Sequence, residues 1–237
     1  FLDQCLRSVE KFDEIVLCDM HSTDGTIAIA EKYGCRIVYH ERTGIVEPAR
    51  NYAIAQAENE WVLVLDSDEV IPAALKDYLY RFAETAEARG YAALKMARKN
   101  YFMGRFMHGD YPDYIIRLIR RSKTFWPEQI HARPVIEGRV FTIPARRREL
   151  AMEHLANESV AARIAKTNQY TDKEMIRREG QDFSVGSAWL KCTWRFVRFY
   201  MVKGGFRDGK AGFAYAVLNA FYKFATVAKL WERKAGA

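Results

Sequence analysis

Over the first ninety residues, short apolar runs alternate with segments of helical period. Residues 13–19 (DEIVLCD) read as a buried strand closing on an acid. STDGTIAIAEKYG reads as an N-capped helix stopped by Gly34, and CRIVYH as a second strand. EPARNYAIAQA continues as a helix, and a further helix is expected from about Ala73 to Arg89. Between them lies WVLVLDSDE, residues 61–69, an apolar run followed by three carboxylates with one serine among them. Such a run, rich in β-formers, fits a strand packed on both faces, as in a parallel sheet. Strand and helix in alternation predict parallel strands joined by crossover helices, with ligands beyond the strands' carboxyl ends. Asp19, Asp66 and Asp68 all fall at that rim.

After Gly90 the texture changes. YAALKMARKN, YIIRLIRR and ARPVIEGRVFTI read as strands with turns at HGDYPD and EG, extending the sheet antiparallel, and a helix is expected from Ser159 to about Arg178. In the tail, SAWLKCTWRFVRFYMV puts Lys191, Arg195 and Arg198 on one helical stripe. FAYAVLNAFYKFATVAKLW puts Asn219, Lys223, Thr226 and Lys229 on another, with Phe213, Val217, Phe221, Phe224 and Trp231 elsewhere. Wide apolar faces with thin basic seams suit the plane of a membrane interface, whereas nucleic acid would require a broad basic face. The alternative is two ordinary helices packed on the domain or on a second subunit. A membrane-crossing helix is disfavoured, because Lys223 would sit mid-span at a cost of about 2.5–3.5 kcal/mol.

At 237 residues, 49% hydrophobic and 28% charged, the chain is globular in composition, with no internal repeat. Expected organisation is a catalytic domain over residues 1–155 and a helical, membrane-associated region over 156–237. The net charge of +7 concentrates in the tail, where residues 184–237 carry ten Lys and Arg against Asp208 and Glu232. Cys5, Cys18, Cys35 and Cys192 fall in no paired spacing and read as reduced thiols of a cytoplasmic protein. No signal peptide is visible, and the start at Phe1 reads as an N-terminus removed or left out.

The acidic cluster carries the candidate chemistry. In extended chain Asp66 and Asp68 leave the same face, and three uncompensated anions losing hydration call for a cation, a divalent metal first of all. The plainer alternative is a solvated loop whose acids cap the helix beginning near Pro72. VLDSDEV also satisfies the D-x-D-x-V pattern of haloacid dehalogenase phosphotransferases, although the later Gly-Asp element of that fold is missing.

CDMHSTDGT, PARNYAIAQA and WVLVLDSDE, in this order and spacing, resemble the donor-binding half of family 2 glycosyltransferases, which have the GT-A fold: an α/β, Rossmann-like mixed sheet with flanking helices. RKNYFMGRFMHGDYPDYIIRLIRR, the IHARP strand and GGFRDGKAGFAYAVLNAFYKFATVAKLWE are similar to the bacterial branch that adds sugars to the lipopolysaccharide core. The resemblance implies a metal-dependent, inverting enzyme that takes a nucleotide-sugar donor and a glycolipid acceptor. It would work peripherally at an anionic membrane surface, on the inner face of the cytoplasmic membrane.

By the same resemblance, Asp19 would hydrogen-bond the nucleobase, and Arg50 would sit near base and diphosphate. Asp66 and Asp68 would form the DxD pair that holds ribose and Mg2+ or Mn2+. His131 is a further metal or phosphate ligand candidate, though a lone His is more often structural; His108, His154, His21 and His40 carry less weight. The acceptor hydroxyl needs a base, and GDYPDYIIR supplies Asp113 first and Asp110 second, unless both are turn residues around Pro112. Arg146, Arg147 and Arg148 read equally as a phosphate contact or a solvated turn.

The chain departs from the family pattern in three places. Met20 and His21 stand where the pattern has Asp or Ser and then Gly, Ala132 stands where an acid often follows the His, and the first strand of the fold is missing. That last departure keeps open a third reading, a binding module without turnover. The oligomeric state is not fixed by the sequence.

Overall fold

The first ninety residues resolve into α1 (Leu2–Val9), β1 (Val16–Asp19), α2 (Thr26–Lys32), β2 (Arg36–Tyr39), α3 (Glu47–Gln56), β3 (Trp61–Leu63), β4 (Glu69–Val70) and α4 (Ala73–Ala86). There follow β5 (Tyr91–Phe102), β6 (Arg105–Phe106), β7 (Asp113–Arg120), β8 (Thr124–Phe125), β9 (Val135–Ile136), β10 (Arg139–Thr142) and β11 (Met152–Glu158). Three helices close the chain: α5 (Val160–Arg177), α6 (Val185–Val197) and α7 (Gly209–Lys234). This is a computed structural model, and it describes residues 1–43, 46–86, 89–128 and 132–236. The chain divides into two units, one made of Phe1–Arg98 and Asp113–Leu155, the other of Lys99–Pro112 and Ala156–Ala237. Residues 99–112 thus differ from the sequence expectation, which placed them in the first unit; the β5–β6 turn they contain packs with the C-terminal helices.

In the first unit, β1 and β2 pair in parallel, Val16 opposite Arg36 through Asp19 opposite Tyr39, as the alternation predicts. β3 departs from that expectation. It lies antiparallel to β7, with Trp61 opposite Arg120 and Leu63 opposite Leu118, in a sheet of order β3-β7-β5-β11-β4. β10 adds in parallel to β5. A continuous apolar run reports burial on both faces and carries no information about the direction of the neighbouring strand. The result is a mixed sheet with flanking helices.

Alternate residues of the central strands feed opposite faces of this sheet. Leu94, Met96 and Leu118 meet the stripe Leu75, Leu79, Phe82 and Ala86 of α4, together with Ile143, Leu150 and Met152. Ala93 and Ile119 point the other way and pack with Ile54 of α3 and Trp126. α4 contributes its apolar stripe at intervals of three or four residues, the period that keeps side chains on one face.

In the second unit, Ser159 and Ser184 cap α5 and α6 by accepting from the backbone N–H of Ala162 and Ser187 at 3.1 and 3.2 Å. α6 runs into a π-helical turn, Arg198–Val202, and a Gly-rich corner before α7. Phe199 and Tyr215 pack there with Phe102 and Met107. The polar stripe of α7 faces α5 instead of solvent: Thr226 is buried, and Lys229 Nζ reaches Asp172 at 2.5 Å and the Asn168 side chain at 2.8 Å. This corrects the reading of that stripe as a basic seam at Lys229, whose charge is neutralised by a neighbouring helix. No helix among the described residues is long and apolar enough to cross a membrane.

Gly212 is where this unit tolerates least. A Cβ there would lie 1.9 Å from the carbonyl oxygen of Gly205, a backbone atom that cannot swing away. Gly212→Ala is therefore expected to destabilise the protein by about 3 kcal/mol or more, since overpacking against backbone has no cheap relaxation. Urea unfolding followed by circular dichroism measures it; an unchanged midpoint would contradict this close approach.

Candidate active site

The end of the apolar run β3 is a turn. Glu69 N–H donates to the Asp66 carbonyl at 3.0 Å, and Asp66 N–H returns to Glu69 Oε2 at 3.1 Å. The chain is not extended here, so the expectation that Asp66 and Asp68 project together from one strand face is replaced by two separate sets of partners. Asp66 accepts from Arg50 Nη2 at 2.9 Å through Oδ1 and from Arg117 through Oδ2. Glu69, with no solvent exposure, accepts from Arg117 at 2.6 Å and Arg98 at 3.0 Å. Arg98 then donates twice to Asp113 Oδ2, at 2.9 and 2.7 Å. Asp66, Arg117, Glu69, Arg98 and Asp113 thus form one alternating chain of charges. The expectation of uncompensated anions is corrected: arginines from β5 and β7 neutralise two of the three.

Sheet geometry aims these arginines. The β5–β7 register slips between Leu94 and Lys95, so Leu118 and Ile116 have partners on β5 and Arg117 between them has none. Such a bulge bends a strand and re-aims one side chain, a device common beside active sites. Arg117 is buried, and its Nε is a donor without an acceptor, which costs about 1–3 kcal/mol. Arg50 is fixed from the other side. Its guanidinium lies 5.2 Å from the Trp126 ring centroid, and the neighbouring Asn51 brackets the Trp126 backbone, donating to its carbonyl at 2.7 Å and accepting its N–H at 2.9 Å. Burial pushes the Asp66 carboxyl up, yet Arg117 and Arg50 outweigh it and hold the group below the usual range.

Asp68 pairs with His154, Oδ2 to Nε2 at 3.2 Å, a contact set by the register of β11 against β4, where His154 lies opposite Glu69. That hydrogen bond, against the opposing effect of burial, keeps the Asp68 carboxyl below its ordinary value. The spacing suits a cation: two donors at about 2.1 Å from an octahedral ion, at right angles, are about 3 Å apart. Among the described residues no group of three or more His, Cys, Asp or Glu forms a metal cluster. Asp66, expected as a ligand, has both carboxylate oxygens engaged by arginine. His131 lies outside the described residues. His154, given little weight from sequence, is the histidine that reaches the acidic turn, and only its strand pairing reveals this.

A cavity of about 690 Å³ extends from this turn between β1 and β3, lined near its acidic end by Met20, Val46, Arg50, Asp66, Asp68 and His154. Asp19 is buried at the end of β1 with Oδ2 accepting the Ser22 N–H at 2.9 Å; its neighbours Cys18 and Met20 line the cavity. His21, standing where the resemblance has glycine, takes φ +59° and stacks on Tyr39, so the position keeps the left-handed backbone glycine favours. Cys5 lies against the Asp66 carbonyl at 3.7 Å; burial, then Glu69 and the two aspartates, push its thiol up to about 12. All four cysteines are free thiols. Asp110, by contrast, belongs to the second unit, where Asn100 and Tyr215 donate to it at 3.1 and 3.2 Å. Arg147 pairs with Glu149 at 3.0 Å and lies over Tyr78, as a surface turn would.

Residues 1–154 match the model of glycosyl transferase family 2. The chain belongs to that family. The lipopolysaccharide core biosynthesis glycosyltransferase LpsC of Rhizobium meliloti is 28% identical over 250 residues, covering 99% of this chain and 88% of that protein. An uncharacterized glycosyltransferase of Rickettsia conorii is 26% identical over 246 residues, covering 97% and 84%. Among solved structures, the mannosyltransferase PcManGT from Pyrobaculum calidifontis, in complex with GDP-Man and Mn2+, superposes with a TM-score of 0.50 at 16% identity, covering this whole chain and 71% of its own. The fold is thus of the GT-A type, and the enzyme is a glycosyltransferase. The phosphotransferase alternative built on VLDSDEV is set aside by the family match.

Two outcomes test the charge network of this family 2 enzyme. Glu69→Gln leaves Arg98 and Arg117 without their shared buried anion and is expected to cost about 3 kcal/mol in urea unfolding. Asp66 and Asp68 have folded pKa values below their unfolded ones. The stability they contribute is therefore present above about pH 4 and lost as pH falls through the folded values. In Asp66→Asn the drop in stability between pH 5 and pH 2 should be shallower than in the wild type, measured by denaturant titration at each pH.

Proposed function

We propose that this enzyme transfers a sugar, with inversion, from a nucleotide-sugar donor to a glycolipid acceptor of the lipopolysaccharide core type, in a reaction that requires Mg2+ or Mn2+. The observation that carries the reading is the meeting of Asp68 and His154 at 3.2 Å beside a cavity already lined by Arg50 and Asp66. In this reading the nucleoside occupies the cavity between β1 and β3. Arg50 faces the diphosphate, while Asp68 and His154 are the residues that would hold the cation. When bound, the ion neutralises charge as it develops on the departing diphosphate. LpsC supports the acceptor class, and the GDP-Man and Mn2+ of the Pyrobaculum enzyme support the donor class and the ion.

The chain's own residues supply the rest. Asp113 is the base that takes the acceptor hydroxyl's proton as that oxygen attacks the anomeric carbon. Arg98 fixes the Asp113 carboxylate with two hydrogen bonds to one oxygen and ties it, through Glu69, to the turn that bears Asp68. A base anchored to the same buried anion as the donor side keeps its distance from the reacting centre, which is what proximity requires. A single displacement with one base inverts the anomeric configuration. The acceptor, as a glycolipid, places the work peripherally at the cytoplasmic face of an anionic membrane.

Asp113→Asn is expected to reduce kcat by a factor of about 100 to 10,000 while leaving nucleotide affinity unchanged, the signature of a lost general base. Thermal-shift titration with UDP, GDP and dTDP, each with Mn2+, finds the cognate nucleotide. Asp68→Ala and His154→Ala should each raise the Mn2+ concentration needed for half-maximal stabilisation by about 10- to 100-fold. Full turnover in Asp113→Asn would refute the assignment of the base, and Mn2+-independent turnover in the presence of chelator would refute the metal.

A further inference from the structure

The second unit presents an apolar surface that its own core does not use. α6 and α7 pack against each other, yet Trp189 is 71% exposed and Trp194 60% exposed on α6, and Phe213, Val217, Phe221 and Phe224 form an exposed stripe along α7. The α7 stripe follows the spacing i, i+4, i+8, i+11, which keeps it on one face for about three turns. Between the helices a groove of about 350 Å³ is lined by Val185, Trp189 and Cys192 from one and Val217, Phe221 and Phe224 from the other. Monomeric soluble proteins rarely leave a contiguous apolar patch of this kind uncovered.

The charge around the patch decides what covers it. Lys191, Arg195 and Arg198 are exposed along one side of α6 and its π-helical continuation, next to Trp194. From Ser184 to Trp231 the only acid is Asp208, and it is buried, accepting from His108 Nδ1 at 2.7 Å and from the backbone N–H groups of His108 and Gly109 at 3.0 and 3.2 Å. The exposed surface over these residues therefore carries cations and no anion. A second copy docked through the same patch would set basic rows against each other without a carboxylate to separate them, the like-charge juxtaposition that interfaces avoid. Nucleic acid would meet tryptophan and phenylalanine where it needs lysine and arginine. Since neither helix can cross a membrane, a partner must offer an apolar layer beneath a negatively charged surface.

We infer that the exposed face of α6 and α7 is a docking surface for an anionic lipid bilayer, lying in the interfacial plane with the aromatic side chains in the acyl boundary and the Lys191, Arg195 and Arg198 row among headgroup phosphates. Tryptophan beside phenylalanine and leucine on one face, with basic residues at its margin, is the composition that partitions to this depth. The groove then takes acyl-chain segments. The inference extends the proposed glycolipid acceptor to the residues that meet the membrane, and its test reads binding alone, so that failure of transfer chemistry leaves it standing.

The test is co-sedimentation of the 237-residue chain with vesicles of phosphatidylcholine alone and of phosphatidylcholine with phosphatidylglycerol, at low and high salt. Wild type is expected to partition at least tenfold more strongly to the anionic vesicles and to lose most of that preference at 0.5 M salt, as screening requires (about tenfold, from the contribution of surface charges). The triple variant Lys191→Glu, Arg195→Glu, Arg198→Glu, altered at exposed positions, should bind anionic vesicles about a hundredfold more weakly. Trp189→Ser with Trp194→Ser should weaken binding to both vesicle types. Circular dichroism and nucleotide-diphosphate binding report whether each variant is folded. Equal sedimentation with and without vesicles would overturn the proposal. So would a concentration-dependent dimer, seen by light scattering, that Trp189→Ser dissolves, because it would assign the face to a second copy.

Discussion

A carboxylate with no access to water sits at the centre of this enzyme, and the geometry around it follows from the need to neutralise it. Glu69 is buried against two guanidinium groups, and a lone ionised carboxyl in that position would be prohibitively costly. Neutralising it requires Arg98 from β5 and Arg117 from β7, which holds these antiparallel strands at one register relative to the acidic turn. Each arginine then has a second carboxylate within reach, Asp113 for one and Asp66 for the other. One buried charge therefore sets the distance between Asp66 and Asp113.

This arrangement gives each acid of the turn a partner from the protein itself. Asp66 and Glu69 are neutralised by arginines, whereas Asp68 pairs with His154. Arginine is suited to its role, since it stays charged and its planar fork spans two carboxylates.

The second unit is organised by another rule. Its polar groups are directed inward or sideways, Asp208 to the backbone of His108 and Gly109, and Lys229 to Asp172 and Asn168, while its largest aromatic residues are left outside. Packing at the corner between α6 and α7 is close enough that Gly205 and Gly212 admit no side chain. A tightly packed corner holding an exposed apolar face is the inverse of an ordinary surface, and the exposed charges between Ser184 and Trp231 are all positive.

The local chain determined a good deal. The apolar run from Trp61 had to be a strand, the spacing of Leu75, Leu79, Phe82 and Ala86 had to be a helix face, and the order of short motifs was enough for the family and its α/β fold. Those properties depend on neighbours within a few residues, where period and propensity act. Pairing was different. That β3 runs antiparallel to β7, that a bulge turns Arg117 toward Asp66, and that β11 sets His154 opposite Glu69 are contacts between residues some fifty to ninety positions apart. Periodicity says which face of a strand is buried and is silent on which strand lies beside it. The acidic turn consequently looked bare in the sequence, and only the tertiary structure could supply its arginines and its histidine, because a charge is compensated through space and not along the chain.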